Sequence, residues 1–587
     1  MVQRPALPFI ALCALLVPPA AAAQEGPAPP LGRYDFRSVT VEGDPFTGTI
    51  HITSLDEDVK GLMYTSIRPA MPVTRVDLVG TSFTVVARFP GADSVVFFGE
   101  LEGDRFSGSW ALLDRVEPFE GSRVPTDDDN NLEPVACEVR GLDELVRCAR
   151  YHVPEDRGTP GSRKIGLNIV ILPARSSDPA PDPLFTLAGG PGQAATDGAS
   201  GNASRFSRIL RDRDIVMVDQ RGTGGSNGLP CEFETTQEQA LMLLGWVFPP
   251  EAVRACRAEL EWRADLRFYT TTQAAADMEA VRAWLGYEQI NVYGGSYGTR
   301  AALEYLRRHP ERVRTATLRG VLAPGGNLAA DNPADAQASF QRLLDDCAAD
   351  DRCGSAYERL GRKLNTVLLK LQSDPATVRV YDGGIGDTVS IEITRDVFAG
   401  GVRRLLMDAN SQRFLPMVIQ RAFEGDFGAF RPAVTATLAV ARSLYFGMGL
   451  SVFCAEDYEA LLQRDLVRDT QGTFLGMTAS NTLLAACQEW DRGTSPSDFH
   501  EPVEADTPVL LLSGALDPTT PPRWGDEVAA ALPNSLHLVL EGTAHSPFPR
   551  CAQSIMADFI AAGTADGLDT GCVDRLERLP FAVSGGR

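Results

Sequence analysis

Ile290-Asn291-Val292-Tyr293-Gly294-Gly295-Ser296-Tyr297-Gly298-Thr299-Arg300-Ala301-Ala302-Leu303-Glu304 is the stretch that decides the fold. A short strand-forming run (290–293) meets Gly-Gly-Ser-Tyr-Gly, and helix formers follow from Thr299. This is the G-x-S-x-G pattern, in which a serine sits on a tight strand-to-helix turn flanked by glycines, because the turn leaves no room for side chains beside it. In a chain with 54 glycines the five-residue pattern alone carries little weight, so its strand-turn-helix context is what counts. Such a turn holds Ser296 Oγ at the carboxyl edge of a sheet.

Working outward, continuous apolar runs bounded by Gly and Asp lie at 165–172, 184–187, 215–218, 316–318, 509–512 and 536–540, with helical patterns at 273–285 and 299–308. Strands buried on both faces read as unbroken apolar runs, so their alternation with helices predicts an α/β core with a mostly parallel, doubly wound sheet. From 326 to 500 the sequence is mostly helical and lacks such runs, which predicts an inserted helical cap between a first core part at 137–325 and a second at 501–587. Upstream, period-2 alternation with Gly-rich turns, as in Phe46-Thr47-Gly48-Thr49-Ile50-His51-Ile52, predicts a β-rich antiparallel sandwich or barrel over 33–123. Asp104 to Trp110 reads as its closing hairpin, and the polar run 126–131 as a linker.

With 44% hydrophobic and 22% charged residues, the 587-residue chain has the composition of a globular protein and not of a disordered or multispanning one. Its net charge of −22 repels phosphate backbones, which argues against nucleic acid as a partner and leaves cationic groups, such as a free amino terminus, compatible. Arg4, an apolar run over 6–17 and Ala21-Ala22-Ala23 form a secretory leader over 1–23. Export to the periplasm or the exterior is therefore expected, with no membrane span after cleavage. Of eleven cysteines, Cys13 falls in the leader and ten remain, an even number suited to an oxidising compartment. They fall into near neighbours: Cys137 with Cys148, Cys231 with Cys256, Cys347 with Cys353, Cys454 with Cys487, and Cys551 with Cys572. None has zinc-type spacing. Five structural disulfides are expected, and no metal.

A serine nucleophile needs a base, and the base needs an orienting carboxylate. In this arrangement they follow the serine in the order Asp or Glu, then His, each after a strand. Only six histidines exist. His545 follows the strand at 536–540 where a base belongs, whereas His537 lies inside that strand and His309 ends a helix. Asp517 follows the strand at 509–512, 28 residues before His545. The oxyanion formed in acyl chemistry would be met by the backbone N–H of Tyr297 and by the loop at Gly189 and Gly190, where glycine lets the backbone approach a carbonyl. No organic cofactor is implied.

Five blocks together resemble a known family: Gly189-Gly190-Pro191-Gly192, Asp219-Gln220-Arg221-Gly222-Thr223-Gly224-Gly225-Ser226, Gly294 to Thr299, Asp517-Pro518-Thr519-Thr520-Pro521-Pro522, and Gly542 to His545. The chain resembles α/β-hydrolase serine exopeptidases of the prolyl iminopeptidase and tripeptidyl aminopeptidase group over most of 137–575. The paired cysteines and the segment around Cys551 and Cys572 look like the tripeptidyl aminopeptidase-like branch. Two features depart from the pattern: Ala188 stands where many prolyl iminopeptidases have His, and the N-terminal β-rich region is additional. The resemblance implies release of residues from the free amino terminus of a peptide substrate, with an acidic cap pocket for the ammonium group. Glu456 and Asp457 are the candidates for that pocket, and such carboxylates should lack partners in the free enzyme. The bland reading of the pair is an acidic helix N-terminus. A carboxylesterase using the same three residues, and an inactive hydrolase scaffold that serves as a binding protein, are the rival readings.

Overall fold

The computed structural model describes residues 32–583 except for 41–44, 55–59, 66–67, 80, 89–93, 103–104, 113–114, 125–131, 140, 143–145, 232–234, 384–385, 442 and 547. The leader over 1–23 and the linker at 126–131 lie outside the described residues. The chain divides into two units, Met1–Asp129 and Asn130–Arg587.

In the first unit, period-2 alternation produces strands with one apolar face: β1 (Gly32–Val39), β2 (Pro45–Ser54), β3 (Lys60–Thr65), β4 (Arg68–Val79), β5 (Ser82–Arg88), β6 (Ser94–Glu102), β7 (Arg105–Leu112) and β8 (Arg115–Val124). They close into an antiparallel barrel in which β1 pairs with both β2 and β8. Eight strands leave an interior just wide enough for side chains to fill, and here aromatics fill it, Phe119 meeting Phe97 edge-on at 5.2 Å. Buried Trp110 donates its indole N–H to Ser38 Oγ at 2.8 Å, and Ser38 Oγ donates to the Pro118 carbonyl at 2.6 Å. The stretch 104–110 does not close this sheet. Residues 105–110 lie in β7, which sits between β6 and β8, and closure comes from β8 on β1. Turn residues report local hairpins, whereas closure is a pairing of the first strand with the last and leaves no local mark.

The second unit begins with β9 (Leu132–Cys137), β10 (Val146–Pro154), β11 (Lys164–Leu172), β12 (Leu184–Leu187), β13 (Ile215–Val218), β14 (Ile290–Gly295) and β15 (Val313–Arg319). Each predicted apolar run up to 318 is one of these strands. The cap follows β15 and contains a hairpin, β16 (Ala376–Asp382) and β17 (Asp387–Ile393), among its helices. The chain then returns to the sheet with β18 (Val509–Gly514) and β19 (Ser535–Leu540). The nine-stranded order is β19-β18-β15-β14-β12-β13-β11-β10-β9, parallel from β19 to β13 and antiparallel beyond. On one face, Ile169, Val292 and Leu511 pack on the helices Thr271–Trp284 and Tyr297–Arg308. On the other, Met217, Tyr293 and Leu510 pack on Phe206 and on Phe559 of the helix Arg550–Ala562.

The cap hairpin departs from the helical expectation. Its strands bury alternate residues, Val378 and Val380 on β16 and Ile391 and Ile393 on β17, and a search for unbroken apolar runs passes over one-sided strands. The cap layer also draws on an earlier excursion, because Ala240 and Leu244 of the helix Thr236–Gly245 share a core with Val397, Phe398 and Val402 of the helix Arg395–Leu406. Gly400 lets these helices touch, since a Cβ there would run into the Leu244 carbonyl.

All five neighbouring cysteine pairs are disulfides. Cys137 bonds Cys148, which staples β9 to β10, and Cys231 bonds Cys256 of the helix Pro250–Leu260. In the cap, Cys347 bonds Cys353 and Cys454 bonds Cys487; after the sheet, Cys551 bonds Cys572. Their Cα–Cα separations lie between 5.1 and 5.8 Å, the ordinary span of such a bridge. Mature protein denatured without reductant should therefore take up no alkylating label, and should take up ten after reduction. Mass spectrometry that finds two labelled cysteines before reduction would break this pairing.

Candidate active site

β14 lies near the middle of the sheet, and Ser296 follows its carboxyl end with φ of 58°. A non-glycine residue held at positive φ carries strain, of order 1–3 kcal/mol, that the surroundings must hold in place. Here Ser296 N–H donates to the Arg319 carbonyl at 2.9 Å, and Thr299 Oγ1 donates to the Ser296 carbonyl at 2.6 Å. Two of the three flanking glycines are sterically required. A Cβ at Gly294 would strike the Gly298 carbonyl, and one at Gly298 would lie 2.5 Å from the Leu187 oxygen and 2.8 Å from that of Ala188. A Cβ at Gly295 would be accommodated, its nearest neighbour being Tyr293 Oη in ordinary contact at 3.5 Å.

The helix Tyr297–Arg308 starts at Ser296 with no side-chain cap, and the Thr299 N–H turns back to the Ser296 carbonyl at 2.8 Å. The Tyr297 ring is buried and its hydroxyl meets Thr271 Oγ1 at 2.7 Å, which anchors the residue while leaving its N–H at the serine. Gly189 passes on the other side, where an added Cβ would lie 3.3 Å from Ser296 Cβ. Gly190, at φ of 113°, turns that loop.

Asp517 and His545 lie in the loops after β18 and β19, and Asp517 Oδ2 accepts from His545 Nδ1 at 2.7 Å. The carboxylate is 2% exposed and further accepts from Thr519 N–H at 2.8 Å, Thr520 N–H at 3.0 Å and Thr520 Oγ1 at 2.7 Å. Burial alone would raise its pKa. The imidazole charge, the hydrogen bond to it and the two backbone N–H groups outweigh that and hold Asp517 at about 2. Arg319 Nη1 donates to the His545 carbonyl at 2.5 Å and so ties this loop to the end of β15. With Nδ1 taken by Asp517, Nε2 is the nitrogen left for a serine proton.

Ser296, His545, Gly189 and Gly190 line one cavity of about 670 Å³, walled from the cap side by Met242, Trp246, Phe248, Leu450 and Phe453. That volume is within the usual range for small-ligand sites. Glu456 and Asp457 do not line it. Both are buried beneath the elbow helix, where Asp457 pairs with Arg300 at 3.0 Å and Glu456 accepts from Thr271 N–H at 2.6 Å and Thr271 Oγ1 at 2.9 Å. Burial lifts Glu456 to about 8 despite nearby Arg300. The expectation of unpartnered carboxylates in a cap pocket is not met, because Asp457 is the counter-ion of Arg300, a buried cation on the elbow helix, and Glu456 is held by Thr271. Asp219 and Arg221 also lie outside the cavity. Asp219 accepts from Thr196 N–H at 2.9 Å and Gly225 N–H at 3.1 Å, while Arg221 forms a two-pronged pair with Asp277 at 2.7 Å, so both brace neighbouring loops. Of the arginines that do line the cavity, Arg403 and Arg404 carry no signal in the sequence, because the cap helices bear no motif.

Residues 183–390 match the family described as the alpha/beta hydrolase fold, and residues 472–572 match the one described as TAP-like protein. The chain has the α/β-hydrolase fold. It is 23% identical to the serine protease Hip1 of Mycobacterium tuberculosis over 473 residues, covering 71% of this chain and 85% of that protein. It is 30% identical to the proline iminopeptidase of Neisseria gonorrhoeae over 148 residues, which cover 25% of this chain and 34% of the relative. The crystal structure of a proline iminopeptidase from Mycobacterium smegmatis aligns with this chain at 15% identity and a TM-score of 0.34, over 70% of this chain and 98% of that one.

Proposed function

We propose that the protein is an exported serine peptidase that releases residues from the free amino terminus of peptides through an acyl-enzyme on Ser296. The observation that carries this reading is the Asp517–His545 pair set on the same cavity as a serine held at a strained elbow. His545 Nε2 takes the Ser296 proton, Ser296 Oγ attacks the scissile carbonyl, and the N–H groups of Tyr297 and of the Gly189–Gly190 loop receive the oxyanion. His545 then protonates the leaving amine, and a water molecule, deprotonated by the same imidazole, releases the acyl group. Relatives named as a serine protease and a proline iminopeptidase support peptide bonds as the target. The leader at 1–23 and the five disulfides support export.

With Glu456 and Asp457 committed elsewhere, a substrate ammonium would meet Asp197, the sole carboxylate among the described residues that line the cavity. The test compares a peptide amide with a free amino terminus against its N-acetylated twin. Losing one charge-assisted contact should lower kcat/KM by about tenfold or more. Equal turnover of the two would sink the aminopeptidase reading. A carboxylesterase is the second reading, favoured by the apolar wall of Met242, Trp246, Phe248 and Phe453. Turnover of short acyl esters without turnover of any peptide would establish it.

A further inference from the structure

The chain has 77 acidic residues against 55 basic ones, yet the walls around Ser296 have the opposite balance. Arg205, Arg319, Arg403 and Arg404 line the cavity against Asp197 alone. A second cleft of about 740 Å³ shares Arg205, Arg319 and Ser546 with the first, and adds Arg208 and Arg550 without any carboxylate among its described lining residues.

Arg403 is the informative member. It is 7% exposed, its guanidinium stacks on Trp246 at 5.3 Å, and Nη1 donates to Thr519 Oγ1 at 3.2 Å. Thr519 in turn donates its N–H to Asp517, so this cation sits against the loop that orients His545. Among the described residues, no carboxylate forms an ion pair with Arg403 or with Arg404 beside it. The acids nearest them are committed: Asp517 to His545, and Asp408 to Ser411 N–H at 2.8 Å, where it starts the helix Ala409–Gln412. Burial, reinforced by repulsion from Arg404, lowers Arg403 to about 10. A buried cation without a counter-charge is unfavourable, and guanidinium pairs are suited to clasp a carboxylate through two parallel hydrogen bonds.

We propose that Arg403 and Arg404, with Arg319 at the join of the two clefts, select substrates that carry a carboxylate. That group is either an acidic side chain of the peptide or the free α-carboxylate of a short leaving peptide. The proposal rests on the reading of Ser296 as an acyl nucleophile, and it names the substrate class that this site takes.

Three matched pairs test it on the full mature protein: a peptide with Glu against the same peptide with Gln, a short peptide with a free carboxyl terminus against its amide, and the p-nitrophenyl monoester of glutaric acid against p-nitrophenyl pentanoate. A charge-assisted contact predicts that kcat/KM favours the carboxylate member by about tenfold or more in the ester pair and in at least one peptide pair. Whichever peptide pair responds identifies the source of the carboxylate. In Arg404→Gln and Arg403→Met the ratio should collapse towards one, while fluorophosphonate labelling of Ser296 and circular dichroism report that the fold is kept. Ratios near one in the unmodified protein overturn the proposal, as do ratios that survive both substitutions or the absence of turnover in every pair. If the esters discriminate and no peptide is cleaved, the peptidase reading fails and the carboxylate site stands.

Discussion

Ser296→Ala should lower hydrolysis of every substrate by about 10⁴–10⁶-fold while leaving the protein folded. The lost oxygen is the one that forms the acyl bond, and no hydrogen bond that holds the elbow passes through it. The turn is fixed instead by main-chain groups, Ser296 N–H to Arg319 and Thr299 Oγ1 to the Ser296 carbonyl, and alanine keeps both. Alanine also bears the same strain at φ of 58°, so thermal stability should change by less than about 1 kcal/mol. Residual activity would come from the oxyanion donors and the cavity, which act without the nucleophile. A fluorophosphonate probe should label the unmodified protein at Ser296 and leave the alanine variant unlabelled. Labelling that persists in the variant would move the nucleophile elsewhere. A folded, unmodified protein that refuses the probe would instead support the inactive-scaffold reading.

The core was legible because its central strands, unlike the half-buried edge strand β19, are buried on both faces. Burial of that kind writes unbroken apolar runs such as Val509–Leu510–Leu511–Leu512, and each such run lies in a sheet strand. The candidate site was legible for a related reason. In this topology chemistry gathers in the loops at the carboxyl edge, so knowing the strands reduced six histidines to the one that follows β19 and pointed to the acid that follows β18. The disulfides were legible because each joins cysteines close in the chain, Cys347 and Cys353 only six residues apart and even Cys454 and Cys487 within 33. Residues that depend on how distant helices pack left no such trace. Glu456 and Asp457 looked like free acids in the cap, but the fold sets Arg300 against them, 157 residues away from Asp457 in the chain. Net charge was silent on the site in the same way. A net −22 left cationic groups compatible, but it sums the whole surface, and the fold alone selects which residues face Ser296; four arginines and Asp197 do.

Asp517→Asn should leave Ser296 in place and still cost about 10⁴-fold in kcat. The carboxylate accepts four hydrogen bonds, and the one from His545 Nδ1 fixes the tautomer with Nε2 unprotonated towards the serine. The asparagine oxygen can keep the Thr519 and Thr520 N–H groups. Its amide nitrogen then faces Nδ1 as a donor, which favours the opposite tautomer, with the proton on Nε2 and no base for Ser296. A change confined to the imidazole predicts that substrate affinity is kept while the acylation rate falls. The same substitution has a signature in stability. Asp517 is held at about 2, below its ordinary 3.8, so its contribution to folding is fully present above about pH 4 and is lost as pH falls through 2. Over that window the unmodified protein should lose roughly 2 kcal/mol that the asparagine variant, having no proton to take up there, does not lose. Unfolding free energies measured for both proteins at pH 5 and pH 2 give the difference. Parallel losses, together with a kcat within tenfold of the unmodified value, would remove Asp517 from the site and leave another acid to orient His545.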